Sequence, residues 1–300
     1  MAFELDENED AATNIRRIVR ERVDIALDCL AGAHGRGEGE RVHTARKRFK
    51  EIRAALRLIR GAVDPGFFRS ENRAYRDAAR PLSAVRDAQA LVEALDALVK
   101  HFRDELKERA FQQVRKLLVE RRRAIRHAVI VERDALRDLQ RTLRAARRRI
   151  DRWPLRGVEF GDFVEGIAKT YRTARRAMAV ATDVETDECL HEWRKQGKYL
   201  RHQAEILHPI WPPAMDVVAE QSHELADVLG DDHDLVVMEH VVTVEERDSV
   251  DNRERKALVG LIHERRATLL KQAKDLGRKL FAEKPGVFRR RVGVYLNAWA

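Results

Sequence analysis

Ten side chains carry the chemistry that this chain advertises. Between Val42 and Ile59 the sequence reads VHTARKRFKEIRAALRLI, and between Leu190 and Leu207 it reads LHEWRKQGKYLRHQAEIL. Laid together at a constant offset, His43 falls on His191, Arg46 on Arg194, Lys47 on Lys195, Lys50 on Lys198 and Arg53 on Arg201. Cations three and four residues apart share one helix face, where like charges cost a few tenths of a kcal/mol per pair. A stretch selected for helix stability alone would interleave glutamates, and Glu51 lies off the stripe. Such a row suits an anion with many phosphate oxygens: arginine offers forked donors, lysine a point charge, and a histidine near anions gains a proton and a further donor. Either copy alone reads as a solvated helix face. Five identical positions in two copies argue for a shared ligand.

The elements that must hold these residues are helices. In the first copy Val42, Ala45, Phe49, Ile52, Leu56 and Ile59 recur at steps of three and four and form a core stripe beside the cations, which Arg57 extends. An earlier amphipathic helix, Asn14 to Leu30, carries Arg16, Arg17 and Arg20 on its polar side, and a later one, Phe163 to Ala181, carries Lys169, Arg172, Arg175 and Arg176. Glycines from Gly32 to Glu40 predict a flexible loop, and Pro65, Pro81, Pro212 and Pro285 punctuate further helical segments. The basic stretch Lys100 to Ile150 holds RRR at Arg121 and again at Arg147, read as solvated helix surface with auxiliary polyanion contact as the alternative. Leu82 to Asp87 aligns with Leu229 to Asp234 at nearly the same offset, and each is read as a turn ending in Asp. Their Arg86-Asp87 and His233-Asp234 pairs read as structural rather than ligand contacts, because a carboxylate repels phosphate.

Composition agrees. In 300 residues, 44% are hydrophobic, 36% charged and only 6% aromatic, the make-up of long helices rather than sheets. The expected fold is all-α. A formal charge of +9 attracts polyanions: nucleic acid, polyphosphate or an acidic membrane surface. Cys29 and Cys189 form neither a disulfide framework nor a thiolate metal site. The acidic start MAFELDENED lacks the regions of a signal peptide, and no apolar run spans a membrane, so a cytoplasmic protein is expected. Asp231-Asp232-His233-Asp234 with His223 and His240 matches no defined metal spacing. No Gly-rich phosphate loop, nucleophile elbow or carboxylate pair appears, so no enzyme class and no cofactor are expected.

The doubled His-x-x-Arg-Lys-x-x-Lys-x-[Ile/Leu]-Arg pattern at His43 and His191, with the later Leu-x-x-x-Arg/His-Asp element, resembles the CHAD domain, the conserved histidine α-helical domain. The resemblance runs from about Asn14 to Trp299. It implies two helical bundles of about four helices each, related by an internal pseudo-twofold around a basic central cleft or pore. It also implies binding of inorganic polyphosphate, often at polyphosphate granules. On that reading residues 1–12 are an acidic tail, 13–151 the first half and 152–300 the second. The expected polyphosphate-binding residues are His43, Arg46, Lys47, Lys50, Arg53, Arg57, Arg16 and Arg20 in the first half, and His191, Arg194, Lys195, Lys198, Arg201, Arg172 and Arg176 in the second. The copies differ where Arg57 meets Glu205 and Arg48 meets Gln196, so the second is less basic, and Gly197 sits mid-helix at a cost of about 1 kcal/mol. The alternative partner is RNA or DNA, held by the same basic faces.

Overall fold

The computed structural model describes residues 3–32, 37–107 and 109–299. Among the described residues there are eleven α-helices and no strand: α1 (Ala11–Leu30), α2 (Glu38–Leu58), α3 (Pro65–Ala79), α4 (Pro81–His101), α5 (Gln112–Arg126), α6 (Ala135–Ile150), α7 (Phe160–Val184), α8 (Asp187–Ile206), α9 (Pro212–His240), α10 (Asn252–Leu280) and α11 (Pro285–Trp299). The all-α expectation holds. Much of the glycine-rich loop lies outside the described residues, and helix α2 already begins at Glu38.

Local chemistry sets the helix starts. Asp10 accepts from Thr13 N at 2.6 Å, Asp64 from Phe67 N at 2.8 Å beside Pro65, and Thr186 from Cys189 N at 3.4 Å, so each cap satisfies an amide that has no partner within its helix. Prolines open α3, α4, α9 and α11, where a missing N–H costs nothing. The GDDHD segment does not turn. Helix α9 runs unbroken through Gly230 to Asp234, and Leu82 to Asp87 likewise lies inside α4. The basic and aromatic end of the chain is also helical, as α11.

One hydrophobic core runs through the whole molecule, from Leu5 to Leu296. Helix α2 packs on α1, α8 and α7; α8 packs on α7 and α9; α4 packs on α9 and α5; α9 packs on α10; α6 closes on α1 and α11 on α7. The crossing of α7 over α2 is so close that a Cβ on Gly166 would lie 2.1 Å from the Leu58 carbonyl oxygen. Across the α2–α8 contact, Gln203 Nε2 donates to the Ala54 carbonyl at 3.2 Å. The acidic head is part of this packing: Leu5 is buried, its N–H donates to Ile206 O at 3.0 Å, and Asn14 is fully buried beneath it, accepting from Asp6 N at 2.7 Å.

Candidate anion-binding site

The α2–α8 contact brings the two basic stripes together. Arg46 and Lys50 project from α2, Arg194 and Lys198 from α8, and all four are partly buried. Burial and the charges of Arg46, Arg194 and Arg86 push the Lys50 ammonium down to about 8. Lys198 is held well below the ordinary lysine range by burial, by Arg194 and by Lys50. Each lysine thus feels the other copy's cations, a statement about position that no single stripe implied. Like charges this close and this desolvated are costly in the free protein, and an anion placed among them removes that cost.

Side chains from α4 and α9 fix the arginines. Arg46 hydrogen-bonds to Ser83 Oγ and lies 3.8 Å from Asp87. The Arg194 guanidinium rests on Gly230, where a Cβ would sit 2.9 Å from its Nη2, and its Nε is buried without a hydrogen-bond partner. Gly230 therefore serves as a seat for Arg194 rather than as a helix breaker. Asp234 belongs to the same neighbourhood, its carboxyl pushed up by burial against the pull of Arg194, Arg86 and Lys198. The Asp ends of the second repeated element thus face the cations and offset part of their charge.

The histidines flank this cluster. His191 and His233 place their ring centroids 5.0 Å apart. Burial, then His233 and Arg194, lowers the His191 pKa, and burial, then Arg86, Lys50 and Lys47, lowers that of His43. In the free protein burial first, and then the local cations, hold both imidazoles toward the neutral form, and an adjacent anion would oppose the second of these.

Farther along, the arginines of α2 find uncharged partners, one of them on α8. Arg53 Nε and Arg57 Nη1 both donate to Asn72 Oδ1, at 3.1 and 2.8 Å, and the Arg57 guanidinium lies 3.9 Å from the centre of the Tyr199 ring. On α8, Lys195 pairs with Glu192, and Arg201 with Glu205 at 2.7 Å. Burial pushes the Glu205 carboxyl up, but the hydrogen bond and charge of His202, together with Arg201, outweigh it and bring it down to about 2. The second copy is thus the more neutralised, as its Glu205 indicates. A cavity of about 530 Å³ opens against the first copy, lined by Arg46, Lys50 and Arg53 from α2 and by Arg76, Arg80 and Ser83 beyond. Arg76 and Arg80 are lining residues that helical periodicity did not single out; a cation density rising toward the end of α3 is the signal that could have found them.

Two expected residues are tied up elsewhere. Arg16 donates to the Trp153 carbonyl at 2.9 Å and Arg20 pairs with Asp151, so both tie α1 to the segment after α6. Their spacing matched a ligand stripe, but their partners lie 131 and 137 residues away and were invisible to it. Arg172 and Arg176 are exposed on α7. Asp232, in the candidate metal segment, is bound at 2.8 Å by Arg266 Nε, and among the described residues no group of three His, Cys, Asp or Glu side chains is placed to hold a metal.

An all-helical fold whose two matching basic helices meet at one contact narrows the class. A family model described as the CHAD domain matches residues 17–243, and the chain belongs to that family. The crystal structure of the CHAD domain from the plant Ricinus communis is similar in fold, with a TM-score of 0.59 over 98% of this chain and 95% of that one, at 17% identity. No curated protein matches the chain in sequence.

Proposed function

We propose that this protein binds inorganic polyphosphate, without catalysis, along a basic cleft between α2 and α8. The observation that carries the reading is the mutual crowding of Lys50 and Lys198 with Arg46 and Arg194, cations from both copies of one motif. Polyphosphate is a flexible strand of roughly one negative charge per phosphate with no bases to read, so closely spaced Arg and Lys suffice. His43 and His191 then take up protons as the anion arrives. Family membership supports the same reading.

The recurrence of packing supports an internal pseudo-twofold. Helices α1 and α2 pair as α7 and α8 do, α4 with α5 as α9 with α10, and α6 closes on α1 as α11 closes on α7. A duplicated unit arranged this way sets the two His-led helices against each other at the axis. In this reading the protein works in the cytoplasm and associates with polyphosphate granules. No helix of the described residues is long and apolar enough to cross a membrane.

Charge reversal tests the site: Arg46→Glu and Lys50→Glu combined with Arg194→Glu and Lys198→Glu abolishes polyphosphate binding while helical content, followed by circular dichroism, stays intact. Unchanged binding refutes the assignment. Competition at physiological salt between long-chain polyphosphate and RNA of equal charge separates the partners, and a preference for RNA overturns the choice of ligand.

A further inference from the structure

The internal repeat extends to a pair of helix faces whose charges are opposite. Followed backwards at the same spacing from the match of Leu82 with Leu229, Pro65 falls on Pro212, and each proline opens a helix, α3 in the first half and α9 in the second. Helix α3 packs on α2 and α9 on α8, so each lies beside one of the two basic stripes. On α3 and at its end, Arg69, Arg73, Arg76 and Arg80 are exposed and share one face at steps of four, three and four. Their matches are Asp216, Glu220, His223 and Asp227. His223 pairs with Asp227 at 2.9 Å. Helix packing therefore makes no demand for cations at these positions, since the second half is built with carboxylates there. Four arginines on one face repel one another, and Asp77 answers one of them, Arg76, at 2.8 Å.

A cavity joins this row to the central cluster. It measures about 530 Å³, with Arg46, Lys50 and Arg53 of α2 on one wall, Arg76 and Arg80 on the other, and Asp77 the one carboxylate in its lining. Its inner wall is formed by partly buried cations, Arg46 and Lys50, and not by surface arginines alone. Arg53 also donates to Asn72 Oδ1 of α3 at 3.1 Å, so the α2 and α3 rows adjoin. The opposite end of the cluster differs. Lys198, which matches Lys50, has Asp227 and Asp234 among the charges that act on it, and Asp231 feels both of those carboxylates. Outward from the centre, a strand of phosphates meets further cations on the α3 side and carboxylates on the α9 side.

We propose that a polyphosphate strand leaves the α2–α8 cluster at one end only, over α3, held by Arg73, Arg76 and Arg80, while the carboxylates at the matching positions of α9 close the other end. This rests on the polyphosphate reading of the central cluster. The test is titration of the full-length protein by calorimetry with two probes, tripolyphosphate and a chain of about a hundred phosphates, at several salt concentrations. In Arg73→Glu with Arg76→Glu and Arg80→Glu, long-chain affinity should fall at least tenfold and the salt slope should flatten by about 2, three contacts at about 0.7 each. Tripolyphosphate, too short to reach from the centre along α3, should change less than threefold. The neutral variant Arg76→Gln with Arg80→Gln should show a smaller loss in the same direction. Reversing Arg141, Arg144 and Arg148, exposed on α6, alters net charge equally and should leave long-chain affinity within threefold of the parent. A thermal melt verifies that each variant is folded. Unchanged long-chain affinity and slope in the α3 variants, an equal loss for tripolyphosphate, or an equal loss from the α6 reversal would overturn the one-ended path while leaving the central site standing. A parent protein that binds neither probe would overturn both.

Discussion

Replacing Lys50 by methionine removes a charge that the free protein holds at a cost. Burial first, then Arg46, Arg194 and Arg86, lower its pKa from the ordinary 10.5 to about 8, with Asp87 opposing. At about 1.4 kcal/mol per pH unit, that gap sets a ceiling of about 3 kcal/mol on the destabilisation. Partial solvent access reduces the realised value to about 1–2 kcal/mol. Methionine keeps the apolar stem packed, so at pH 7 the variant should be more stable than the parent by that amount. Below pH 8 Lys50 is charged in both folded and unfolded chains, and the full penalty applies. Between pH 8 and 10.5 the unfolded chain binds more protons than the folded one, so the parent gains stability with rising pH and the two proteins converge. Urea unfolding of both proteins across this range measures the difference, in which the titration of groups that do not feel Lys50 cancels, while Lys198, relieved of one neighbouring cation, adds to the stabilisation. The same variant should bind polyphosphate more weakly, so stability and affinity move in opposite directions. A variant that is less stable at pH 7, or an offset that does not close with pH, refutes the reasoning.

Two glycines give further tests. Gly230→Ala puts a Cβ 2.9 Å from the Arg194 guanidinium; the arginine must shift, and polyphosphate affinity should fall several-fold in a fluorescence titration with little change in thermal midpoint. Gly166→Ala sets a Cβ 2.1 Å from the Leu58 carbonyl oxygen and 2.5 Å from its Cα, a backbone that cannot yield without spreading α7 from α2. About 3 kcal/mol should be lost in urea unfolding, and an unchanged midpoint would contradict the close crossing.

Periodicity located the elements because each helix buries one stripe: Val42, Ala45, Phe49, Ile52 and Leu56 are all at or below 1% exposure. The doubled motif likewise pointed to Arg46, Lys50, Arg194 and Lys198 before any of them had a neighbour. What periodicity could not convey is the partner of each charge, since that depends on contacts far apart in the chain. Arg16 and Arg20 resemble the site cations in spacing, yet Trp153 and Asp151 claim them. Gly230 carries the usual mark of a turn, but a glycine inside a helix can equally clear room for a side chain from another helix. Gly197, by contrast, would place a Cβ 3.7 Å from the Ser222 carbonyl, an ordinary contact that excludes the phenylalanine of the first copy without demanding glycine. The acidic head read as a tail because its anchor, the Ile206 carbonyl, lies some two hundred residues on.

The salt dependence of polyphosphate binding tests the central claim most directly. Counterion release makes the logarithm of affinity fall linearly with that of salt, by about 0.7 per phosphate contact on a single strand. If Arg46, Lys50, Arg194 and Lys198 each hold a phosphate, the parent protein should show a steep slope, and reversing all four should flatten it by about 3 while weakening binding at every salt concentration. The same slope and affinity in parent and variant would contradict the account.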